Sequence, residues 1–394
     1  MHTDYIAEMQ GLYGPFILTE RVLQKIWLRQ DFAATSLQTD SGKALAVQDA
    51  GRWNVHEGPD FKEARLLIDG RPVVGDVEIH FNLSDWHAHQ HECDSNFTHV
   101  VLHVVLHPER RQLNPVQTAT GRVPELLYLM PLLNRDLESY AMDEALLALE
   151  QQDEIEWVVR FVQQPLVQRL CVLQQQAERR WAQKVRYAQQ RLQRAGWEMA
   201  CHQYVLEVLG YKRNRAPMLR LADACPLSAW RAGTVDVDKL FAGEASRWRL
   251  QGLRPANHPR RRLRQYLRVV ERNPHWPDRL ADCLQGMPRE SAALSTPDFR
   301  KAVGLTKLHG MLHASIFSHA IGATRLNTLM VDAILPLATA AGLLDGHGYW
   351  MHWPPGDSPA ALRRFLKHSA VRSRQRPHSN GWHQGALALF LSRH

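Results

Sequence analysis

The chain has 394 residues, a formal net charge of +8 and 45% hydrophobic residues, a composition typical of a globular protein with two or three domains. Its five cysteines are odd in number and form no CxxC pair, which argues against a disulfide framework or a zinc ribbon. No signal-peptide pattern is visible, and no apolar run approaches the roughly 18 residues that span a bilayer. We therefore expect a cytoplasmic protein without a membrane partner.

The positive charge lies in the later part of the chain. Residues 1–150 carry 12 Lys/Arg against 22 Asp/Glu, a balance of −10. Residues 151–280 carry 24 against 12, a balance of +12, and residues 281–394 carry 12 against 6, a balance of +6. Such asymmetry suggests a polyanionic partner, and we expect nucleic acid, DNA or RNA. The alternative is that the Arg-rich helices are simply well solvated.

The first 130 residues contain short helix and strand patterns. An amphipathic helix is predicted at Thr19–Gln30 with Thr19 as its N-cap, followed by a strand at KALAVQDAGRWN. Two apolar runs, ARLLIDG and PVVGDVEIHF, meet at Asp69-Gly70, which is a strong hairpin signal. The run His99–His107 is apolar enough for a central strand, and VPELLYL predicts one more short strand.

After residue 130 the pattern becomes helical, with Pro165 and Gly196 as the obvious interruptions. Loops are predicted at HGYWMHWPPGDSPAA and RSRQRPHSNGW. The expected fold is therefore an α/β domain with a mixed sheet over residues 1–130, followed by a basic, mainly α-helical domain over residues 131–394.

One strand concentrates polar side chains on a single face. In PVVGDVEIHF, Asp76, Glu78 and His80 alternate with apolar residues, so the three share one face. Pro59 favours a strand start, which places Asp60 where the first arm of the hairpin begins. Folding at Asp69-Gly70 is therefore expected to bring Asp60 near Glu78, although an Asp after Pro can also simply cap a turn.

Two neighbouring carboxylates repel unless a cation joins them. Carboxylate oxygens suit Mg²⁺ or Mn²⁺, and such an ion can activate water and stabilise an anionic transition state. His80, two residues beyond Glu78, would lie beside that water. The sequence thus predicts a metal site with Asp60, Glu78 and His80 as catalytic residues.

Pro59-Asp60 followed by Glu78-Ile79-His80 on the second arm resembles the PD-(D/E)xK nuclease superfamily. The resemblance implies a restriction-endonuclease-like core in which Asp60 and Glu78 hold a divalent metal and His80 stands in the position of the lysine. Many members add an acid from an N-terminal helix, and Glu20 is the matching residue. The departure at His80 is compatible with cleavage, since histidine is a competent base, or with a non-cutting member.

A wider pattern resembles the bacterial domain-of-unknown-function family 2851. It consists of GPDF, GDVEIH, SDW and VVLHVV in the first 110 or so residues, with weaker agreement at Leu209–Asn214 and Arg254–Pro259. The family name implies no activity, so the nuclease hypothesis depends on the shorter motif.

The segment after the hairpin offers a different metal site. His87, His89 and His91 alternate, and with Asp85 and Asp94 they form a candidate transition-metal site. Linear spacing does not establish that these groups converge. His103, inside a buried strand, is interpreted as a sheet histidine rather than a ligand.

The basic part contains clusters suited to phosphate. Arginine binds two phosphate oxygens with its planar fork. The candidate nucleic-acid-binding residues are Arg260, Arg261, Arg264, Arg268, Lys212 and Arg213.

The leading hypothesis is a Mg²⁺- or Mn²⁺-dependent phosphodiesterase acting on DNA or RNA, with metal ligands Asp60, Glu78 and Glu20. The second is a catalytically inactive nucleic-acid-binding or scaffold protein that keeps the fold. The third is a hydrolase with a histidine-built transition-metal site that acts on a small phosphorylated substrate.

Overall fold

A computed structural model describes Glu8 and residues 10–14, 17–34, 36–107, 116–151 and 156–392. The chain divides into two compact units. One is Leu18–Asn134, and the other combines Met1–Ile17 with Arg135–His394. The first is an α/β unit with a mixed sheet and the second is mainly helical, which confirms the predicted fold class. The sequence analysis set the domain boundary near residue 130 and assigned the N-terminal segment to the α/β domain. In the structure that segment belongs to the helical unit.

The α/β unit begins with helix α1, Glu20–Leu28, and continues into the sheet. In the described part of this unit the strands are β1 (Leu37–Gln38), β2 (Ala44–Asp49), β3 (Arg52–Trp53), β4 (Phe61–Ile68), β5 (Arg71–His80), β6 (Val100–Val105) and β7 (Glu125–Tyr128). Helix α2, Asp85–Ala88, and the 3₁₀ turns His91–Cys93 and Ser95–Phe97 lie between β5 and β6. A further 3₁₀ turn spans Met130–Leu132.

The strand order is β1-β2-β4-β5-β6-β7, with β3 also pairing with β4. Strands β4 and β5 form the predicted hairpin, in which Asp69 and Gly70 both have positive φ, as a type I′ turn requires. Strand β6 runs parallel to β5 and β7 and is buried along its whole length, as its apolar sequence predicted. Helix α1 buries the apolar stripe Val22, Leu23, Ile26 and Trp27.

Close packing of β5 against the start of β6 requires a glycine. A Cβ at Gly75 would lie 2.8 Å from the carbonyl oxygen of His99 and 2.4 Å from Cγ1 of Val101. Gly75 therefore lets the parallel pair approach at the point where β6 begins. The polar end of β5, Glu78 and His80, follows directly.

The helical unit is built on a long helix, and its helices are given in chain order. They are α3 (Leu137–Gln151), α4 (Glu156–Gln163), α5 (Leu166–Leu209), α6 (Arg215–Ala224), α7 (Leu227–Arg231), α8 (Val237–Gly243), α9 (Pro259–Arg272), α10 (Trp276–Gln285), α11 (Thr296–Ala302), α12 (Leu305–Met311), α13 (Ala323–Leu329), α14 (Leu335–Ala340), α15 (His347–His352), α16 (Ala360–His368) and α17 (Asn380–Leu391). A 3₁₀ turn spans Pro255–Asn257, and π-helical turns span Leu312–Ile316 and Met330–Ile334.

Both predicted interruptions of the helical region are present. Pro165 is the N-cap of α5, and Gly196 kinks that helix with φ 72° and ψ 172°. The core of this unit contains several fully buried tryptophans, among them Trp230, Trp276 and Trp350. Across the described residues, we find no helix that is both long enough and apolar enough to cross a bilayer.

Candidate functional site

The polar end of β5 is buried. Glu78 and His80 are 6% and 1% exposed, although they belong to the polar face of the alternating pattern. The apolar residues between and before them, Val77 and Ile79, are buried on the other face. Both faces of this strand end are therefore covered, and a buried carboxylate is costly unless it has partners.

Asp60 lies beside Glu78, as predicted, and the two residues are linked through the backbone. The N–H of Asp60 donates to Oε2 of Glu78 at 3.0 Å, and the N–H of Ile79 donates to Oδ2 of Asp60 at 3.1 Å. Gln24 of α1 donates its side-chain amide to Oδ1 of Asp60 at 2.6 Å and accepts from Nε1 of Trp53. Gln24, which sequence reasoning missed, thus fixes the position of Asp60.

The acids share an environment that opposes their charge. Burial, and then the charge of Glu78, raises the pKa of Asp60 well above its usual range. Burial also raises the pKa of Glu78, against the hydrogen bond from Asp60, and the charge of Glu20 raises it further. Burial raises the pKa of Glu20 as well, while His89 and His91 lower it. The predicted acids Glu20, Asp60 and Glu78 therefore interact in one cluster, which a cation would stabilise.

His80 is enclosed by other imidazoles. Its Nδ1 lies 2.9 Å from Nε2 of His103, and its Nε2 lies 3.1 Å from Nδ1 of His89 and 3.3 Å from Oε1 of Glu78. Burial, with His103, His91 and His89 nearby, holds the pKa of His80 far below its usual range, so the ring is neutral near pH 7. Both ring nitrogens of the predicted water-activating residue therefore contact protein groups.

His89 and His91 reach the same point from the loop after β5. Nε2 of His91 lies 3.5 Å from Oε1 of Glu78, is buried and has no hydrogen-bond partner. Gln90, between the two histidines, is left-handed with φ 58° and ψ 32°. Ligand atoms of His80, His89 and His91 all lie within 4.8 Å of one another. Within the described residues, these three histidines are the group of potential ligands that lie close enough together to hold one metal ion.

Other residues of the predicted histidine site point elsewhere. Nδ1 of His87 lies 3.3 Å from Oε1 of Glu92, in a half-exposed pair. Asp85 accepts from the N–H of Asn82, and Asp94 accepts from the N–H of Asn96 as the cap of a 3₁₀ turn. His80, rather than His87, is thus the third imidazole of the cluster. The carboxylates of Asp85 and Asp94 form hydrogen bonds within the loop instead.

Aromatic residues pack against the imidazoles. Phe97 stacks on His91 with ring centroids 3.7 Å apart, and Trp86 contacts the rings of His91 and His103 at 5.3 and 5.1 Å. Nε1 of Trp86 donates to the carbonyl of Gln117. These residues hold the rings in place, and the SDW motif was the sequence signal that could have indicated Trp86.

Comparison with known proteins assigns the family. The sequence profile of DUF2851, described as a protein of unknown function, matches residues 20–245, which is more than half of the chain. The chain belongs to the DUF2851 family. No curated protein matches it. No solved structure matches it either. Of the two weaker extensions that the sequence indicated, the matched range includes Leu209–Asn214 and ends before Arg254–Pro259.

The helical unit of this DUF2851 chain contains a cationic cleft of about 1120 Å³. Within the described residues, four lining cations have no carboxylate within ion-pair distance: Lys212, Arg213, Arg254 and Arg363. Other lining cations are paired, among them Arg180 with Glu138 and Lys184 with Asp332. Two of the predicted nucleic-acid-binding residues, Lys212 and Arg213, therefore lie on a surface with unpaired positive charge.

The predicted arginine cluster lies on an exposed face of α9. Arg260, Arg261, Arg264 and Arg268 are all exposed and line a groove of about 410 Å³. Arg260 and Arg264 pair with Asp238 at 2.6 and 3.1 Å. The other two have no carboxylate at such a distance in the described ranges, so the groove carries a net positive charge.

Proposed function

We propose that this DUF2851 chain is a divalent-metal-dependent phosphodiesterase that acts on nucleic acid. The observation that carries the proposal is Glu78, a buried carboxylate bonded to the N–H of Asp60 and in contact with two imidazoles. Raised pKa values at Glu78, Asp60 and Glu20 indicate that the cluster favours a bound cation.

The acid arrangement supports the resemblance to PD-(D/E)xK nucleases. Asp60 and Glu78 come from the two arms of one hairpin and Glu20 from the preceding helix, as that pattern implies. Mg²⁺ or Mn²⁺ held by these acids would supply Lewis-acid stabilisation of an anionic phosphate. The protein's own groups would orient the substrate and water, with His80 holding the cluster in shape from the end of β5.

Two basic surfaces support nucleic acid as the substrate class. The cleft with Lys212 and Arg213 and the α9 groove with Arg261 and Arg268 both present unpaired cations. Phosphate contacts of this kind supply most of the sequence-independent affinity for nucleic acid. The chain would act in the cytoplasm.

One observation favours the second candidate, an inactive nucleic-acid-binding scaffold. His80 replaces the expected lysine, is 1% exposed and has protein groups at both ring nitrogens. A ring that is so little exposed is poorly placed to activate a water molecule from solvent. The scaffold would keep the basic surfaces and lack cleavage.

The test measures cleavage of labelled single- and double-stranded DNA and RNA with Mg²⁺, Mn²⁺ or EDTA. We expect wild-type protein to cut at least one substrate in metal, and Glu78→Gln to abolish cleavage while nucleic acid binding persists. The control is Asp76→Asn on the same strand, where the side chain accepts a hydrogen bond from the N–H of Glu63, an acceptor that Asn retains.

Wild-type protein that binds the substrates and cuts none in any metal would replace the nuclease with the scaffold. Equal loss of cleavage in Asp76→Asn and Glu78→Gln would show that the strand, rather than the carboxylate of Glu78, is required.

A further inference from the structure

Four potential ligand atoms lie at the end of β5, each within 3.5 Å of at least one other. They are Nε2 of His80, Nδ1 of His89, Nε2 of His91 and Oε1 of Glu78. The separations are 3.1 Å between His89 and His80, 3.3 Å between His80 and Glu78, and 3.5 Å between His91 and Glu78. With metal–ligand bonds of roughly 2.0–2.1 Å, neighbouring ligands of a tetrahedral ion lie roughly 3.3–3.4 Å apart. These three separations are close to that length, and the three imidazoles form the group whose ligand atoms all lie within 4.8 Å of one another.

We infer that His80, His89 and His91, with Glu78 beside them, bind a transition-metal dication, with Zn²⁺ the best match. Three imidazoles and one carboxylate favour Zn²⁺, Fe²⁺ or Co²⁺ over Mg²⁺, which prefers oxygen ligands. The inference rests on the proposed function, because it concerns the same site. It differs in the class of metal and in the ligands, which for the proposed function are the oxygens of Asp60, Glu78 and Glu20.

A buried atom without a partner supports this ligand set. Nε2 of His91 is inaccessible, makes no hydrogen bond and faces Oε1 of Glu78. Buried polar atoms are almost always satisfied, so an orphaned imidazole nitrogen directed at a carboxylate indicates a missing partner. A metal ion between the two groups would satisfy both.

The surroundings also match those of a metal-binding histidine. Nδ1 of His80 faces Nε2 of His103 at 2.9 Å, which leaves Nε2 of His80 directed at His89 and Glu78. Histidine ligands usually bond through the second ring nitrogen to a protein group that fixes their orientation. The left-handed Gln90 turns the chain so that the histidines on either side of it both reach the site.

The experiment measures metal binding without substrate. Protein purified with a tag that contains no histidine is analysed by mass spectrometry for metal content, and the metal-free form is titrated with Co²⁺ while its visible absorption is followed. We expect about one equivalent of transition metal per chain and the intense absorption of low-symmetry Co²⁺. His89→Ala should lose both, since His89 is an exposed ligand whose removal spares the core.

His87→Ala is the matched control, because His87 lies two residues before His89 and pairs with Glu92 outside the site. It should retain the metal and the Co²⁺ spectrum. His91→Gln provides a second ligand variant, and circular dichroism verifies that each variant is folded. Retention of metal by both folded ligand variants, or equal loss in His87→Ala, would overturn the inference.

The outcome is separable from that of the cleavage assay. If the wild-type protein holds stoichiometric metal and His89→Ala loses it, the histidine site is supported whether or not the protein cuts nucleic acid. An absence of cleavage would then remove only the nuclease proposal. Cleavage that needs only Mg²⁺, in a protein that binds neither Zn²⁺ nor Co²⁺, would overturn the histidine site and leave the nuclease proposal standing.

Discussion

The backbone N–H of Asp60 donates a hydrogen bond to Oε2 of Glu78, at 3.0 Å across the β4–β5 hairpin. The contact depends on a β-bulge. Near the turn, Ile68 pairs with Arg71 and Ala64 with Gly75, a register that would place Asp60 opposite Ile79. The register shifts between Phe61 and Ala64, so that Phe61 pairs with Val77 and Asp60 comes opposite Glu78. One extra residue therefore positions the acid pair.

Glu63 lies in this bulge with φ 59°, and its side chain is 74% exposed. We expect Glu63→Val to lower the free energy of unfolding of the hairpin by about 1 kcal/mol, because a β-branched residue is strained at positive φ. Glu63→Gly should leave it unchanged or higher. Hydrogen exchange of the β4 and β5 amides measures the effect. Equal destabilisation by both variants would show that loss of the Glu63 side chain, rather than strain in the backbone, lowers the free energy of unfolding.

The sequence predicted the proximity of Asp60 and Glu78 but not the cause. Asp69-Gly70 fixed the hairpin turn, and counting outward from it placed the two acids within one residue of each other. The bulge that corrects the register by one residue has no signal in the sequence. Glu63, which lies in the bulge, is exposed, and its N–H donates to the carboxylate of Asp76. Tertiary contacts select such local conformations.

The histidine cluster was predicted only in part. The alternation of His87, His89 and His91 is compatible with a strand or a loop. The segment forms a short helix and a 3₁₀ turn, and His87 pairs with Glu92 instead of joining the other two. His80 and His103 were assigned to strands correctly, and their contact depends on the parallel pairing of β5 and β6. His80 and His103 are 23 residues apart in the sequence, and the spacing of residues within each strand does not indicate which strands pair.

One loop prediction was wrong. His347–His352, part of HGYWMHWPPGDSPAA, is helical, and Trp350 within it is fully buried with its indole N–H bonded to the carbonyl of Val331. The paired prolines Pro354 and Pro355 made the whole stretch resemble a loop. They end the helix instead, because the residue before a proline is disfavoured in the α-helical region.

His103 is expected to position His80 rather than bind metal. Its Nε2 contacts Nδ1 of His80, and burial lowers the pKa of His103 to about 3, so it remains neutral. We expect His103→Asn to raise the dissociation constant for Zn²⁺ roughly 10–100-fold, the usual cost of losing such a partner. Competition with a chromogenic chelator measures the constant. His99→Asn, an exposed histidine just before the same strand, should leave it unchanged; a comparable loss there would contradict the assignment.

The α9 arginines allow a matched test of the proposed nucleic-acid surface. Arg261 and Arg268 have no acidic partner among the described residues, whereas Arg260 and Arg264 share Asp238. If the free pair contacts phosphate, Arg261→Gln/Arg268→Gln should reduce the slope of log affinity against log salt by about 2, one for each lost contact. Arg260→Gln/Arg264→Gln should change it less, because the loss of two cations is partly offset by Asp238. The measurement is fluorescence anisotropy at several salt concentrations.

The same assay examines the cleft of the helical unit. Lys212→Gln/Arg213→Gln should lower the salt slope if nucleic acid occupies the cleft, while Arg247→Gln, which removes an exposed cation paired with Glu244, serves as the control. Unchanged slopes in both the cleft and α9 variants would remove nucleic acid as the partner of these surfaces.

Stability of the helical unit should depend on pH through His202. This residue is fully buried, with Nδ1 2.6 Å from the hydroxyl of Tyr266 and Nε2 3.0 Å from the carbonyl of Cys225. Burial lowers its pKa to about 4 and outweighs the carbonyl bond, which favours the proton. The unfolded chain takes up a proton near the usual pKa of about 6.5, so stability is fully present above that pH and is lost as the pH falls towards 4.

Substitution of His202 by Gln tests this linkage, because Gln can bond both partners and does not titrate. Between pH 7 and 4.5 we expect the wild-type free energy of unfolding to fall by on the order of 2 kcal/mol more than that of His202→Gln. The other buried histidines are present in both proteins, so their contributions cancel in the difference. Urea denaturation at each pH, followed by circular dichroism of the helices, supplies the two curves. Parallel curves would mean that His202 gains its proton in the folded unit as readily as in the unfolded chain.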